Sequence, residues 1–288
     1  MQFSCKDCIF MLLYKQGDDM KVLLYVNQEK IIDGSLNQAI ISACEKIGVD
    51  YQIVEKTDLS KNIYADAFVC VGGDGTILST AQFAGENHIP ILGINAGKVG
   101  FLTEFEGDEI EKALTELVSG NLKVDERINM EVTFKGEKYH ALNDVVIQRI
   151  YRENVSRMIL NVKVDIDGNF VDQIAGDGII VSTPTGSTAY SLSAGGAILA
   201  PGIQAFSMTP LSAHSLHNRP VIFSADSVCE AEIVGEVSAC VFLDGKLIGV
   251  LDEGEKISIK KAKYNTVFLR KNDSNFYNRL IEKLKRNK

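Results

Sequence analysis

The sequence predicts an α/β N-terminal domain with a doubly wound parallel sheet, joined to an all-β, antiparallel C-terminal domain. Its last helix is predicted to pack back on the first domain. Three observations lead there. Strand and helix patterns alternate over the first hundred residues, strand-like and turn-rich text runs from about Lys123 to Leu269, and helical spacing returns at Ser274–Lys285.

Taken in order, Lys21–Asn27 is an apolar run of strand length. Ser35–Ile47 carries Leu36, Ala39, Ile40, Ala43, Cys44 and Ile47 at helical spacing, and Gly48 is a good stop. Tyr51–Val54 and Ala67–Val71 read as strands, Thr76–Ala84 as a helix, Ile89–Ile94 as the next strand and Asp108–Val118 as another amphipathic helix. Met130–Phe134, Val145–Ile147, Leu160–Ile166 and Gly178–Val181 then read as strands, with Asp167-Gly168 and Asp244-Gly245 as hairpin turns. In the final helix Phe276, Leu280 and Leu284 share one face. The expected domains are therefore 20–105, with 272–288 returning to it, and 123–271. Met20–Asn27 looks like the natural opening of an α/β domain, so residues 1–19 are expected to be a tail or an over-long start.

A chain of 288 residues is long enough for a sizeable core, and 45% hydrophobic with 24% charged residues is ordinary for a soluble globular protein. The net charge of −8 argues against general nucleic-acid affinity. The basic stretch from Lys260 to Lys288 reads as a solvated, helix-stabilising face. Cys5-x-x-Cys8 lacks a second pair to complete a zinc site, and Cys44 and Cys70 fall in core patterns. No apolar run approaches membrane-spanning length, and Cys8–Tyr14 is too short and poorly flanked for a signal peptide. A cytoplasmic protein with no membrane or nucleic-acid partner is expected.

The most informative motif is Val71-Gly72-Gly73-Asp74-Gly75-Thr76, directly after the strand Ala67–Val71. Glycine accepts positive φ and carries no side chain to block a ligand, so a phosphate can approach the main-chain N–H groups. The helix that follows adds its own N-terminal amides. A carboxylate beside phosphate is awkward unless a metal or a reacting hydroxyl needs it, so Asp74 points to phosphoryl transfer; a tight turn with a solvated aspartate is the alternative for this pentapeptide alone. The spacing is neither the dinucleotide Gly-x-Gly-x-x-Gly nor a Walker A loop. A second glycine-rich turn, Gly93–Glu104, follows the next strand, and in a doubly wound sheet two such loops converge at the carboxyl strand ends.

Further along, Asn143-Asp144 can bracket a ribose diol or form an Asx turn entering a strand. Asp177, between Gly176 and Gly178, can accept from an amide group. Thr185, Ser187, Thr188 and Tyr190 suit purine edges and stacking, or simply cap a helix-like Ser191–Leu199. His214 and Arg219 read as structural hydrogen-bonding residues, and His88 and His140 as surface or core residues.

These blocks, in this order, closely resemble the NAD kinase family from Met20 onward: Gly72–Thr76; Asn95-x-Gly97-x-x-Gly100-Phe101-Leu102; Asn143-Asp144; Asp177-Gly178 through Ser182–Ser191 to Gly195-Gly196; and His214-Ser215-Leu216 with Arg219-Pro220. The Gly-Gly-Asp-Gly turn is shared with lipid kinases, whereas the Thr183–Tyr190 run is far more specific. The resemblance implies phosphoryl transfer from ATP to the adenosine 2′-hydroxyl of NAD, with Mg²⁺. It makes Asp74 catalytic, and it assigns donor phosphate binding to Gly72, Gly73, Gly75, Thr76, Asn95 and Gly97. For NAD it implies Asp74, Gly75, Phe101, Asn143, Asp144, Asp177, Thr185, Thr188, Ala189, Tyr190 and Ser193. No protein side chain is a firm metal ligand, Mg²⁺ being carried by the nucleotide with Asp74 the candidate to assist. The 20–105 domain would bind donor phosphate and the 123–271 domain NAD.

The family usually has Glu where this chain has Asp144, one methylene shorter, which leaves open a lost, water-bridged or backbone-shifted contact. Ala175 stands where Arg accompanies strict ATP use, so inorganic polyphosphate is a further expected donor. A homodimer or homotetramer is implied. The competing readings are a lipid or diacylglycerol-type kinase, disfavoured for want of a membrane-facing segment, and a non-catalytic NAD-binding module, disfavoured by Asp74.

Overall fold

A computed structural model describes residues 20–26, 35–55, 58–59, 63–97, 100–150, 159–214 and 218–286. The expected tail Met1–Asp19, with Cys5 and Cys8, lies outside the described residues, as do Lys98-Val99 and Ser215-Leu216. The chain divides into two compact units, Met1–Glu126 with Tyr264–Lys288, and Arg127–Lys263.

The first unit runs β1 (Lys21–Val26), α1 (Ser35–Ile47), β2 (Asp50–Ile53), β3 (Ala67–Gly72), α2 (Asp74–Glu86), β4 (Ile91–Asn95), β5 (Phe105–Glu106), a 3₁₀ turn at Gly107–Glu109 and α3 (Ile110–Val118). Strands pair in parallel in the order β2-β1-β3-β4. β3 is apolar throughout and fully buried because helices cover both faces of the sheet. Val22, Leu24, Val69, Val71, Leu92 and Ile94 meet Ile40 and Cys44 of α1 and Ala113, Leu114 and Leu117 of α3. On the opposite face Phe68 lies edge-on to Phe83 of α2 at 5.5 Å, and Cys70 Sγ sits 3.4 Å from Thr80 Oγ1. Helices on both faces make this the doubly wound sheet expected from the alternation. Burial pushes the Cys70 thiol up to about 12, the state of an unreactive core cysteine.

β6 (Leu122–Phe134) carries the chain into the second unit, which continues β7 (Glu137–Ala141), β8 (Asp144–Arg149), β9 (Leu160–Ile166), β10 (Asn169–Gly176), β11 (Gly178–Ser182), α4 (Tyr190–Ser193), β12 (Ala205–Leu211), β13 (Val221–Ser224), β14 (Cys229–Val234), β15 (Ala239–Leu243), β16 (Lys246–Leu251) and β17 (Lys256–Lys271). One antiparallel sheet has the order β13-β12-β11-β8-β15-β16. The other pairs β10, β9, β14 and the first half of β17. β9 shows the period of two: Leu160, Val162 and Val164 point into the core, while Asn161, Lys163 and Asp165 point away. Asp167-Gly168 and Asp244-Gly245 both have two positive φ values, +50° and +74°, and +48° and +79°. That is the geometry of the tight hairpin turn predicted for Asp-Gly.

Three elements depart from the sequence reading. α2 begins at Asp74 rather than Thr76, because Gly73 takes the extended N-cap conformation (φ −101°, ψ −175°). The helix-like Ser191–Leu199 is a single turn, α4. Gly195 turns the chain at φ +85°, and a Cβ on Gly196 would meet Ser191 Oγ at 2.2 Å. The last helix, α5 (Phe276–Arg286), returns to the first unit, yet Leu284 of its apolar face is exposed and so are Tyr277 and Ile281. Arg279 docks it instead, donating to Glu104 Oε2 at 2.6 Å.

Candidate active site

In the first unit the two glycine-rich loops leave adjacent parallel strands at the same level, with Gly72 of β3 registered on Asn95 of β4. Ala96 N–H donates to Gly72 O at 3.3 Å. Gly72 must be glycine because a Cβ would meet Thr76 Oγ1 at 2.3 Å. Gly75 and Gly97 have no atoms within 4 Å of where a Cβ would stand, so space is open at both. Gly72, Gly73 and Gly75 all have negative or extended φ, so closeness rather than left-handed backbone is their use. Thr76 N–H turns back to Gly73 O at 2.9 Å, which leaves the amides that precede it at the helix N-terminus as the donors a ligand can use.

Asp74 ties the two loops together. Its Oδ2 accepts the Phe101 N–H at 2.8 Å and its Oδ1 the Leu102 N–H at 3.0 Å. A Cβ on Gly100 would stand 1.8 Å from Asp74 Oδ1. Asp74 is therefore not a freely solvated turn residue; its carboxylate is oriented by the second loop. Each oxygen keeps lone-pair capacity beyond one N–H, so it can also accept from a hydroxyl. Asn95 is buried; its Oδ1 accepts the Gly97 N–H at 3.3 Å, while Nδ2 is a buried donor with no hydrogen-bond partner among the described residues.

In the second unit, Asn143 and Asp144 enter β8 under the grip of another aspartate. Asp244 Oδ2 accepts Leu142 N–H at 2.8 Å, and its Oδ1 accepts Asn143 N–H at 2.7 Å and Asp144 N–H at 3.1 Å. Asp244 N–H returns a bond to Asp144 O at 3.1 Å. Burial, followed by the neighbouring Asp244 charge, pushes Asp144 up to about 7. Burial also raises Asp244, against the three amide bonds that favour its charge.

The Thr183–Tyr190 run folds onto this corner. Thr183 Oγ1 donates to Leu142 O at 2.5 Å and accepts Gly186 N–H at 3.1 Å. A Cβ on Gly186 would meet Asn143 O at 2.0 Å, so that glycine permits the close approach. Thr185 is buried and accepts from Arg127 Nη1 at 3.2 Å, whereas Thr188 is half-buried and donates to Thr185 O at 3.1 Å. Ala189 is half-buried, and the Tyr190 ring and Ser193 are exposed. Ser187 is internal to the loop, donating to Pro184 O at 2.6 Å and accepting Leu199 N–H at 3.0 Å.

Asp177 pairs with Arg149, Oδ1 to Nε at 2.8 Å, between two glycines that cannot carry side chains. His214 and Arg219 are exposed, His214 joining the chain through its N–H to Ala175 O at 2.9 Å.

Sequence reasoning saw Asp244 only as a turn residue and passed over Arg127, Arg270 and Arg279. The available signal was the hairpin itself, whose Asp has a carboxylate to spend on nearby amides. The arginines carried none, because their partners are backbone carbonyls, acids and, for Arg127, the Thr185 hydroxyl, all far along the chain.

Paired glycine loops at the ends of adjacent parallel strands, with a carboxylate oriented between them, define a nucleotide-dependent phosphotransferase. Residues 8–122 match the ATP-NAD kinase N-terminal domain and residues 142–271 the ATP-NAD kinase C-terminal domain. The chain is 36% identical over 267 residues to an NAD kinase of Caldicellulosiruptor bescii, covering 92% of this chain and 100% of that one. It is 36% identical over 246 residues to an NAD kinase of Natranaerobius thermophilus, covering 82% and 85%. The chain belongs to the NAD kinase family. Among solved structures it is similar to an Archaeoglobus fulgidus NAD kinase in complex with ATP, with TM-score 0.72 and 25% identity over 92% of this chain and 99% of that one. It is also similar to yeast NADH kinase complexed with NADH, with TM-score 0.78 and 25% identity over 92% and 87%.

Proposed function

We propose that this enzyme phosphorylates NAD to NADP using ATP, and that Asp74 acts on the acceptor hydroxyl. The observation that carries the reading is the Asp74 carboxylate, oriented by the Phe101 and Leu102 amides beside open glycine loops. The adenosine 2′-oxygen attacks the γ-phosphorus of ATP, its proton passes to Asp74, and ADP leaves. The amides of Gly73 and Gly75, with the Thr76 hydroxyl, the open backbone at Gly72 and Gly97 and the Asn95 Nδ2 donor, hold the donor phosphates. Mg²⁺ would come with the donor, held by its phosphate oxygens with Asp74 the one nearby carboxylate able to assist, and it would neutralise charge on the transferred group.

The α/β unit thus serves the donor, and the β unit recognises NAD. Asn143 and Asp144 hold the adenosine ribose. Asp144, with its proton retained to near neutral pH, can donate to a ribose oxygen as well as accept. Thr185, Thr188, Ala189, Tyr190 and Ser193 line the adenine, with Phe101, Gly75 and Asp177 as further dinucleotide contacts. Ala175 leaves no guanidinium to demand a nucleotide donor, so inorganic polyphosphate also serves. The assembly is a homodimer or homotetramer, which light scattering measures.

The test is incubation with NAD and Mg²⁺ and either ATP or polyphosphate. NADP forms with both donors if the reading is right. No NADP with ATP overturns the activity, and NADP with ATP alone overturns the broad donor choice.

A further inference from the structure

We propose that Arg279, on the C-terminal helix, is a positioning residue for Asp74, acting through the peptide between Phe101 and Leu102. The inference rests on the reading of Asp74 given above. That peptide is held at both ends. Its N–H, from Leu102, donates to Asp74 Oδ1 at 3.0 Å, and its carbonyl, Phe101 O, accepts from Arg279 Nη1 at 3.1 Å. In a planar trans peptide these two groups point in opposite directions, so holding the carbonyl sets where the N–H points. A positive charge on the carbonyl also polarises the unit and strengthens its N–H as a donor.

The rest of the clamp repeats the arrangement. Arg279 Nη1 also donates to Thr103 O at 2.9 Å, and its Nη2 donates to Glu104 Oε2 at 2.6 Å and Ser274 Oγ at 2.9 Å. Arg270, fully buried, donates to Leu102 O at 2.8 Å and to Glu104 Oε2 at 3.2 Å, and it reaches Phe101 O and Thr103 O only at 3.4 Å, so Arg279 is the closer holder of both of those carbonyls. Three successive carbonyls, Phe101 to Thr103, therefore face guanidinium groups, while the two amides of Phe101 and Leu102 face one carboxylate. Glu104 offsets the charge of both arginines, and its own N–H is tied to Gly93 O of β4 at 2.8 Å. The guanidinium fork matters because one head reaches two carbonyls and a carboxylate at once, which an ammonium cannot do in a fixed plane.

A displacement of about 1 Å at a reacting group can cost about a hundredfold in rate, so loosening this peptide should be felt in turnover rather than in binding. The experiment compares full-length wild type, Arg279→Met, Arg279→Lys and Asp74→Asn. Steady-state kcat and KM are read for NAD and ATP, with thermal melting and hydrogen exchange over residues 100–104. The expected result for Arg279→Met is a kcat lowered about tenfold or more, with both KM values within about threefold. Faster exchange at the Phe101 and Leu102 amides should accompany it, with unchanged protection in β3 and β4. Arg279→Lys should recover part of kcat, and if Arg279→Met does not fold, the Lys variant alone must show the split.

An unchanged kcat, a loss confined to KM, or a kcat that falls only in proportion to the folded fraction would overturn the proposal. A fully active Asp74→Asn would instead remove the reading of Asp74 itself. An inactive Asp74→Asn beside an unaffected Arg279→Met removes this inference alone.

Discussion

Asp74 in the α/β unit and Asp244 in the β unit do the same thing with their carboxylates and have different consequences. Each accepts consecutive main-chain N–H groups from a segment far away in sequence, Phe101 and Leu102 in one case, Leu142 to Asp144 in the other. Asp74 divides two amides between two oxygens and stands half-exposed at open glycine loops. Asp244 takes three amides, and its charge acts on a second carboxyl, that of Asp144. The first arrangement leaves acceptor capacity for a substrate; the second spends it on holding a corner of the fold. An aspartate gripping a loop is therefore a structural device by default, and it becomes a reactive one when the surrounding backbone leaves room for a ligand.

The sharpest way to break this contrast is Gly100→Ala, whose Cβ would collide with Asp74 Oδ1 at 1.8 Å. Displacing that carboxylate should lower kcat for NADP formation by about a hundredfold or more, while circular dichroism melts stay near wild type. The corresponding attack on the other aspartate is Asp244→Ala, which strands three buried amides. Urea denaturation should then show a loss of about 2–3 kcal/mol, with a raised KM for NAD rather than a specific fall in kcat. Asp244→Asn, which keeps an acceptor oxygen, should lose less.

A third measurement sharpens the comparison through pH. Asp144 is raised from 3.8 to about 7 by burial and by the charge of Asp244. Between those values the unfolded chain is ionised while the folded protein still holds the proton. Asp144 therefore makes stability fall as pH rises from about 4 to about 7 and level off above, each pH unit of that interval being worth about 1.4 kcal/mol. Melting temperatures of wild type and Asp144→Asn, taken at pH 5 and pH 8, should differ more at pH 8, with the variant the more stable there. Equal slopes in the two proteins would contradict the linkage.

The sequence was most legible where local rules and tertiary structure agree. β3 and β9 follow directly from their apolar patterns, and the two Asp-Gly hairpins from the need for consecutive positive φ. The two glycine loops could be found because each follows a buried strand, and the register of Gly72 on Asn95 is what parallel neighbours impose. Helix ends were less legible: α2 starts two residues early because Gly73, not a polar side chain, serves as its N-cap. α4 stops after one turn because Gly195 and Gly196 form a close turn that helical spacing does not reveal. The docking of α5 was expected from an apolar stripe, yet it is made by Arg279 reaching carbonyls more than 170 residues away in sequence. Long-range bonds to backbone atoms leave no pattern in side-chain type, so neither that clamp nor the grip of Asp244 could be read beforehand.

The central claim is that the Asp74 carboxylate, oriented by the second glycine loop, receives the proton of the acceptor hydroxyl. The most direct measurement is the rate of NADP formation from NAD and ATP with Mg²⁺ by Asp74→Asn beside wild type, with folding of both checked by melting. Asparagine keeps the size of the side chain but cannot take the proton, and its NH2 group can no longer accept one of the two loop amides, so the account predicts a kcat lower by about 10²–10⁴-fold in a protein that still folds. An Asp74→Asn enzyme that makes NADP at the wild-type rate would contradict it.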